Sequence, residues 1–153
     1  GLVALLAPEV LGTSVGWVDI MMFNKLSLLY SPVLPIIALI VLLPFLKIMA
    51  TSLTVGSGGS AGLVIPTIAI GGFTGAAMAL ALQALTPGFV PNTAPFVIVG
   101  IAGFITSMFG TPLAGIVMAM EITGYDINLL PAVIIAVPIS YIISHYYLEA
   151  TLE

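Results

Sequence analysis

The sequence predicts an all-α membrane protein of tilted and partly spanning helices, and three observations carry that expectation. Hydrophobic residues make up 61% of the chain and charged residues 5%, with a mean hydropathy of +1.31. A soluble domain carries about a quarter charged residues to face water. Between Lys47 and Glu121 there is no Asp, Glu, Lys or Arg, a stretch long enough for more than one pass through a ~30 Å hydrocarbon layer at roughly 20 residues per helix. The alternation that a closed barrel needs is missing, so helices must satisfy the backbone in lipid. The same composition excludes a soluble enzyme.

Taken in order, apolar segments occupy 2–6, 31–53, 63–85, 95–108, 112–122 and 128–147. The separators carry turn chemistry: Gly12 to Gly16 with Trp17 and Asp19, the Gly/Ser tract from Gly56 to Gly62, Thr86 to Pro95, Gly110 with Pro112, and Gly124 to Asp126. Segments 95–108 and 112–122 are too short to span. Transporters and channels use such short or interrupted helices, whose ends meet near the bilayer midplane. Gly71 and Gly75 form a GxxxG pair, and Gly100, Ala102, Gly103, Ala114 and Gly115 also let backbones approach. Taken singly, each glycine reads as ordinary helix packing.

The chain has no Cys, one His and six scattered carboxylates, which removes disulfides and leaves no cluster at metal-ligand spacing. Lys25 and Lys47 are its only fixed cations, too few to orient it by the positive-inside rule. Lys47 is expected to snorkel from its helix toward an interface. Glu121 is expected near a helix end, since Thr123 and Gly124 follow. The seven Met residues read as packing. A chain beginning at Gly1, with no charged region ahead of its first apolar residues, reads as a fragment without a cleaved signal peptide.

The sharpest local signal is Gly56-Ser57-Gly58-Gly59-Ser60-Ala61-Gly62-Leu63-Val64-Ile65-Pro66, a flexible polar tract running directly into an apolar helix. Pro66 marks the helix start, where its missing N–H costs nothing. The first N–H groups, around Leu63 to Ile65, have no partner within the helix and sit at the positive end of its dipole. Between two long apolar segments, such an end is expected inside the membrane or at the bottom of a cavity. It would hold a dehydrated anion without a full positive charge, which would bind too tightly for passage. The tract also satisfies a dinucleotide fingerprint formally, but no carboxylate follows until Glu121, and a Walker loop would need a Lys. A plain Gly/Ser linker between two spans is the bland alternative.

Lys47-Ile48-Met49-Ala50-Thr51-Ser52-Leu53-Thr54-Val55, followed by Gly56 to Gly71, resembles the CLC family of chloride channels and proton-coupled chloride antiporters. Gly62-Leu63-Val64-Ile65-Pro66 corresponds to the family's Gly-x-Phe-x-Pro motif. Gly110-Thr111-Pro112-Leu113-Ala114-Gly115 with Glu121-Ile122-Thr123-Gly124 looks like its penultimate conserved segment. Pro8-Glu9-Val10-Leu11-Gly12 with Gly16 looks like the loop opening its second half. The resemblance implies that residues 1–153 are the carboxy-terminal half of a CLC-type transmembrane domain, one half of the inverted-repeat fold. The amino-terminal half, with its Gly-Arg-Glu-Gly-Pro motif, is absent from this sequence. The chain departs from the family where Val64 stands for the usual Phe and Ala61 for a common Gly.

What the resemblance implies for function is transmembrane transport of chloride or a similar small anion, by a passive channel or a proton-coupled antiporter. The anion-binding residues would be Gly62, Leu63, Val64 and Ile65, with the backbone N–H groups of Leu63 and Val64 foremost, completed by the hydroxyl of Tyr147 or of Tyr146. Composition alone reads Tyr141, Tyr146 and Tyr147 as an interfacial aromatic belt beside His145 and Glu149. The expected partners are the missing half of the same subunit, the bilayer and a second copy in a homodimer through 112–140, with no nucleic acid. No cofactor or metal is expected, the halide being the transported ligand, and a multi-pass place in the cell membrane follows. Two other classes stay open: a helix-packing module without transport, and a transporter of another anionic solute.

Overall fold

A computed structural model of the chain describes residues 10, 12–22, 36–59, 62–86, 92–124 and 126–152. The apolar segment 2–6, Pro8, Glu9 and Leu11 of the family-like loop, Lys25, the start of segment 31–53, and Ser60 and Ala61 of the Gly/Ser tract lie outside the described residues. All described regular structure is helical: α1 (Val15–Met22), α2 (Ile36–Gly56), α3 (Val64–Leu85), α4 (Ala94–Phe109), α5 (Pro112–Ile122), a 3₁₀ turn (Ile127–Leu129) and α6 (Leu130–Leu152). Three stretches are long and apolar enough to cross a membrane: Ala38–Gly56, Val64–Leu85 and Ile127–Tyr147. With 16 residues α4 extends roughly 24 Å, and it falls short of the hydrocarbon thickness. This is the all-α membrane fold with partly spanning helices that the segment lengths predict, and the protein is an integral membrane protein.

Residues with special backbone geometry end the helices. Gly110 adopts φ 65° after α4 and donates to Thr106 O, and Pro112 then opens α5 with its ring in the first turn. Gly58 at φ 84° closes α2, donating to Val55 O while Gly59 donates to Thr54 O, both at 3.0 Å. That pair of bonds is the Schellman arrangement, in which the left-handed residue lets the chain turn back over the last carbonyls.

The core is organised around α3 and α4, which pack against each other more extensively than any other pair. Their seam is backbone on backbone. A Cβ on Gly71 would stand 2.7 Å from Gly100 O, one on Gly75 would strike Phe96 O and stand 2.8 Å from Val97 Cα, and one on Gly100 would strike Gly71 O. The order of these contacts makes the two helices antiparallel. Around the seam, Leu39, Ile40 and Leu43 of α2 share one core with Phe73, Ala76, Val97, Ile101 and Ile105. A second core joins Ile98 and Ala102 of α4 to Ala119 of α5 and Val133 and Val137 of α6. Ser140 of α6 stands against Gly103 of α4.

The turn expected from Gly12 to Gly16 with Trp17 and Asp19 is shorter than its composition suggests. Gly12 (φ 61°) and Ser14 (φ 58°) make the turn, and α1 begins at Val15 with the N–H groups of Trp17 and Val18 donating to Ser14 O. Gly16, Trp17 and Asp19 are helical. Tertiary packing outweighs their weak propensity: Val18 is buried in a recess that exists because Gly72 has no side chain, a Cβ there meeting Val18 Cγ1 at 2.7 Å.

Candidate functional site

The N-terminus of α3 opens on a cavity of about 620 Å³ between α2, α3 and α4. Thr51, Ser52 and Val55 line it from α2, Leu63, Pro66 and Thr67 from the start of α3, and Phe104 and Met108 from α4. The elements meet there for local reasons. The Schellman end stops α2 at the tract, Pro66 favours a new helix start, and the Gly71 and Gly75 seam draws the carboxy-terminal half of α4 against the beginning of α3.

Leu63 caps α3 in a helical conformation (φ −82°, ψ −17°), and among the described residues no side chain caps it. The first carbonyl of the helix, Leu63 O, accepts from the Thr67 N–H at 3.0 Å and from the Thr67 hydroxyl at 2.7 Å. The N–H groups of Leu63, Val64 and Ile65 precede the helical ladder, and Pro66 has none, so this end is a concentrated set of donors at the positive pole of a 22-residue helix. Among the described residues, none that lines the cavity is charged. The hydroxyls of Thr51 and Ser52 are the polar groups that α2 adds.

Gly62, Leu63, Val64 and Ile65 are consecutive at the uncapped end of α3. Of these, Leu63 lines the cavity, and the Val64 and Ile65 side chains are exposed. Tyr147 is 68% exposed in the carboxy-terminal part of α6, with its ring edge-on to Tyr146 at 6.3 Å. It does not line the cavity. Tyr141, half-buried, stacks on the exposed His145 at 5.7 Å, which extends the aromatic strip along that part of α6.

Lys47 does not snorkel. It is 4% exposed, and its Nζ donates to Val10 O and Gly12 O, both at 2.8 Å, and to Ser14 Oγ at 2.9 Å. Those three bonds use every donor of an ammonium. Spacing within the sequence gave no sign of this, because the partners are more than 30 residues away. Glu121 is exposed in the last turn of α5, and Gly124 N–H closes that end on Glu121 O at 3.1 Å. Thr51, Ser52 and Thr67 were not singled out from the sequence. The signal available was their position on the turns that flank the Gly/Ser tract.

Comparison with known proteins places the chain. The family model described as voltage gated chloride channel matches residues 1–145. An uncharacterized protein of Methanocaldococcus jannaschii is 33% identical over 119 residues, covering 78% of this chain and 26% of the relative. The H(+)/Cl(-) exchange transporter ClcA of Salmonella paratyphi A is 31% identical over 88 residues, or 58% of this chain and 19% of the relative. ClcA of Citrobacter koseri is 25% identical over 134 residues, covering 88% of this chain and 26% of the relative. The chain thus spans about a quarter or less of the length of these relatives. No solved structure matches it.

Proposed function

Since this chain belongs to the voltage gated chloride channel family, the CLC family, we propose that it supplies one wall of a transmembrane pathway for chloride or a similar small anion, with the anion held by backbone amides at the start of α3. The observation that carries this reading is the uncapped α3 N-terminus opening on an uncharged cavity. An anion leaving water loses strong hydration, and oriented N–H dipoles offset that loss without a fixed cation that would trap it. The hydroxyls of Thr51, Ser52 and Thr67 line the approach. Thr67 already donates to Leu63 O, which leaves the α2 hydroxyls freer to turn toward a guest. The ClcA relatives are named as H(+)/Cl(-) exchange transporters, which favours proton-coupled exchange over passive conduction here too. No covalent step is part of such a cycle.

In this reading the rest of the pathway comes from the part of the subunit that this sequence does not contain, and the assembled subunit pairs with a second copy. The test separates backbone from side chain. In the full-length subunit, replacing the Val64 amide by an ester, through the α-hydroxy analogue of valine, removes one N–H and leaves the side chain intact. Chloride affinity by calorimetry should fall about tenfold, the scale of a lost hydrogen bond to an ion, while Val64→Ala leaves it nearly unchanged. Equal affinity for the ester and amide forms would remove the α3 amides from the site. Absence of chloride binding to the unmodified subunit would favour the helix-packing module, and competition by an organic anion would favour another solute. Tyr147→Phe belongs to the same experiment: weaker binding supports a hydroxyl ligand, and unchanged binding removes Tyr147.

A further inference from the structure

The short helix α1 is fastened at both ends by buried polar side chains from other helices. At its entrance Lys47 of α2 grips Val10 O, Gly12 O and Ser14 Oγ. At its exit Thr93, 1% exposed, donates to Met21 O at 2.6 Å and satisfies a carbonyl that the helix leaves open. Between these fastenings Val18 is seated against Gly72 of α3. Ser14, itself buried, is held in a left-handed conformation (φ 58°) that a residue with a Cβ adopts only when its surroundings enforce it. Lys47 is not among the residues lining the anion cavity, although Ile48 and Thr51 of the same helix are.

We propose that Lys47 is a positioning residue for the anion-binding helix: its ammonium fixes Val10, Gly12 and Ser14 ahead of α1, these fix α1, and α1 holds α3 through Val18 in the recess at Gly72. A buried ammonium suits this task because it can satisfy three acceptors at once, two of them backbone carbonyls. The charge is spent on the turn and not directed at the cavity. The inference rests on the transport reading for its affinity readout but not for its geometric one.

The experiment uses the full-length subunit with spin labels at Asp19→Cys on α1 and Met78→Cys on α3, both exposed positions, and reads their distance distribution alongside chloride affinity. Lys47→Met should broaden the distribution and lower affinity about tenfold, the scale of losing hydrogen bonds from one charged group. Lys47→Arg, which keeps the donors, should preserve both. Ser14→Ala should produce a weaker form of the same change, and should add nothing when combined with Lys47→Met. Should Lys47→Met fail to fold, Ser14→Ala carries the test by the same readouts. An unchanged distribution in the substituted subunit overturns the proposal, and if affinity still falls, Lys47 acts by its field. If the unsubstituted subunit binds no chloride, the transport reading fails, and the distance distribution alone decides the clamp.

Discussion

Single glycines in this chain differ sharply in what they do, and their surroundings decide it. Gly75 faces backbone, with Phe96 O and Val97 Cα where its Cβ would be, whereas Gly16 in α1 has nothing within 4 Å of that position. Gly75→Ala should destabilise the folded protein by about 3 kcal/mol, since backbone cannot swing aside as a side-chain tip can. Gly16→Ala should be neutral or stabilise by up to ~1 kcal/mol through a less flexible unfolded chain. Thermal unfolding of the two variants in the same detergent measures the contrast. Equal effects would mean that the α3 and α4 seam is looser than its geometry. The same reasoning separates Lys47 from an ordinary snorkelling lysine: its head group has three partners inside the fold and no need of the interface.

At the scale of elements, the position of the N-terminal end of α3 depends on how α2 stops. Gly58 makes the Schellman turn possible at φ 84°, and Gly59 follows with its N–H on Thr54 O. A Cβ on Gly59 would sit 2.8 Å from that same Thr54 O, so the two positions are fixed for different reasons, one conformational and one steric. Gly58→Ala should cost about 1 kcal/mol of stability through the left-handed backbone alone. It should also move the end of α2, and with it Val55 and Ser52, relative to Leu63. A cross-link between Ser52→Cys and Leu63→Cys, formed more slowly in the Gly58→Ala background, checks this. An unchanged rate would show the tract to be a passive linker.

For the whole molecule, the outer faces say as much as the core. On α6, Ile134, Ile135, Ile139, Ile142 and Ile143 are all exposed, a surface that water would not tolerate but lipid or a neighbouring apolar helix would. The chain also spans no more than 26% of the relatives compared, and among the described residues the cavity at α3 is lined by α2, α4 and the start of α3. Liposomes containing this chain alone should therefore show chloride efflux at the level of empty vesicles, and the full-length subunit should conduct well above it. Efflux from the chain alone would place the complete pathway within these residues.

By itself the sequence determined the membrane environment, the helical class and the boundaries of the three central helices. Segments 63–85 and 112–122 differ by at most one residue from α3 and α5, because Pro at helix starts and Gly at helix ends act through local backbone geometry. The donor-rich start of α3 was legible for the same reason: Pro66 and the tract before it are adjacent in sequence. Only the tertiary structure decided what lies across space. It decided that α1 is a helix, since a short helix with Gly16 and Trp17 is stabilised by the recess at Gly72 and not by its own propensity. It also decided that Lys47 is buried, since its partners are brought to it by folding, and that Thr51 and Ser52 share a cavity with Leu63. Hydropathy and turn chemistry are properties of neighbouring residues, whereas burial and hydrogen bonding of a long side chain depend on which distant backbone arrives beside it.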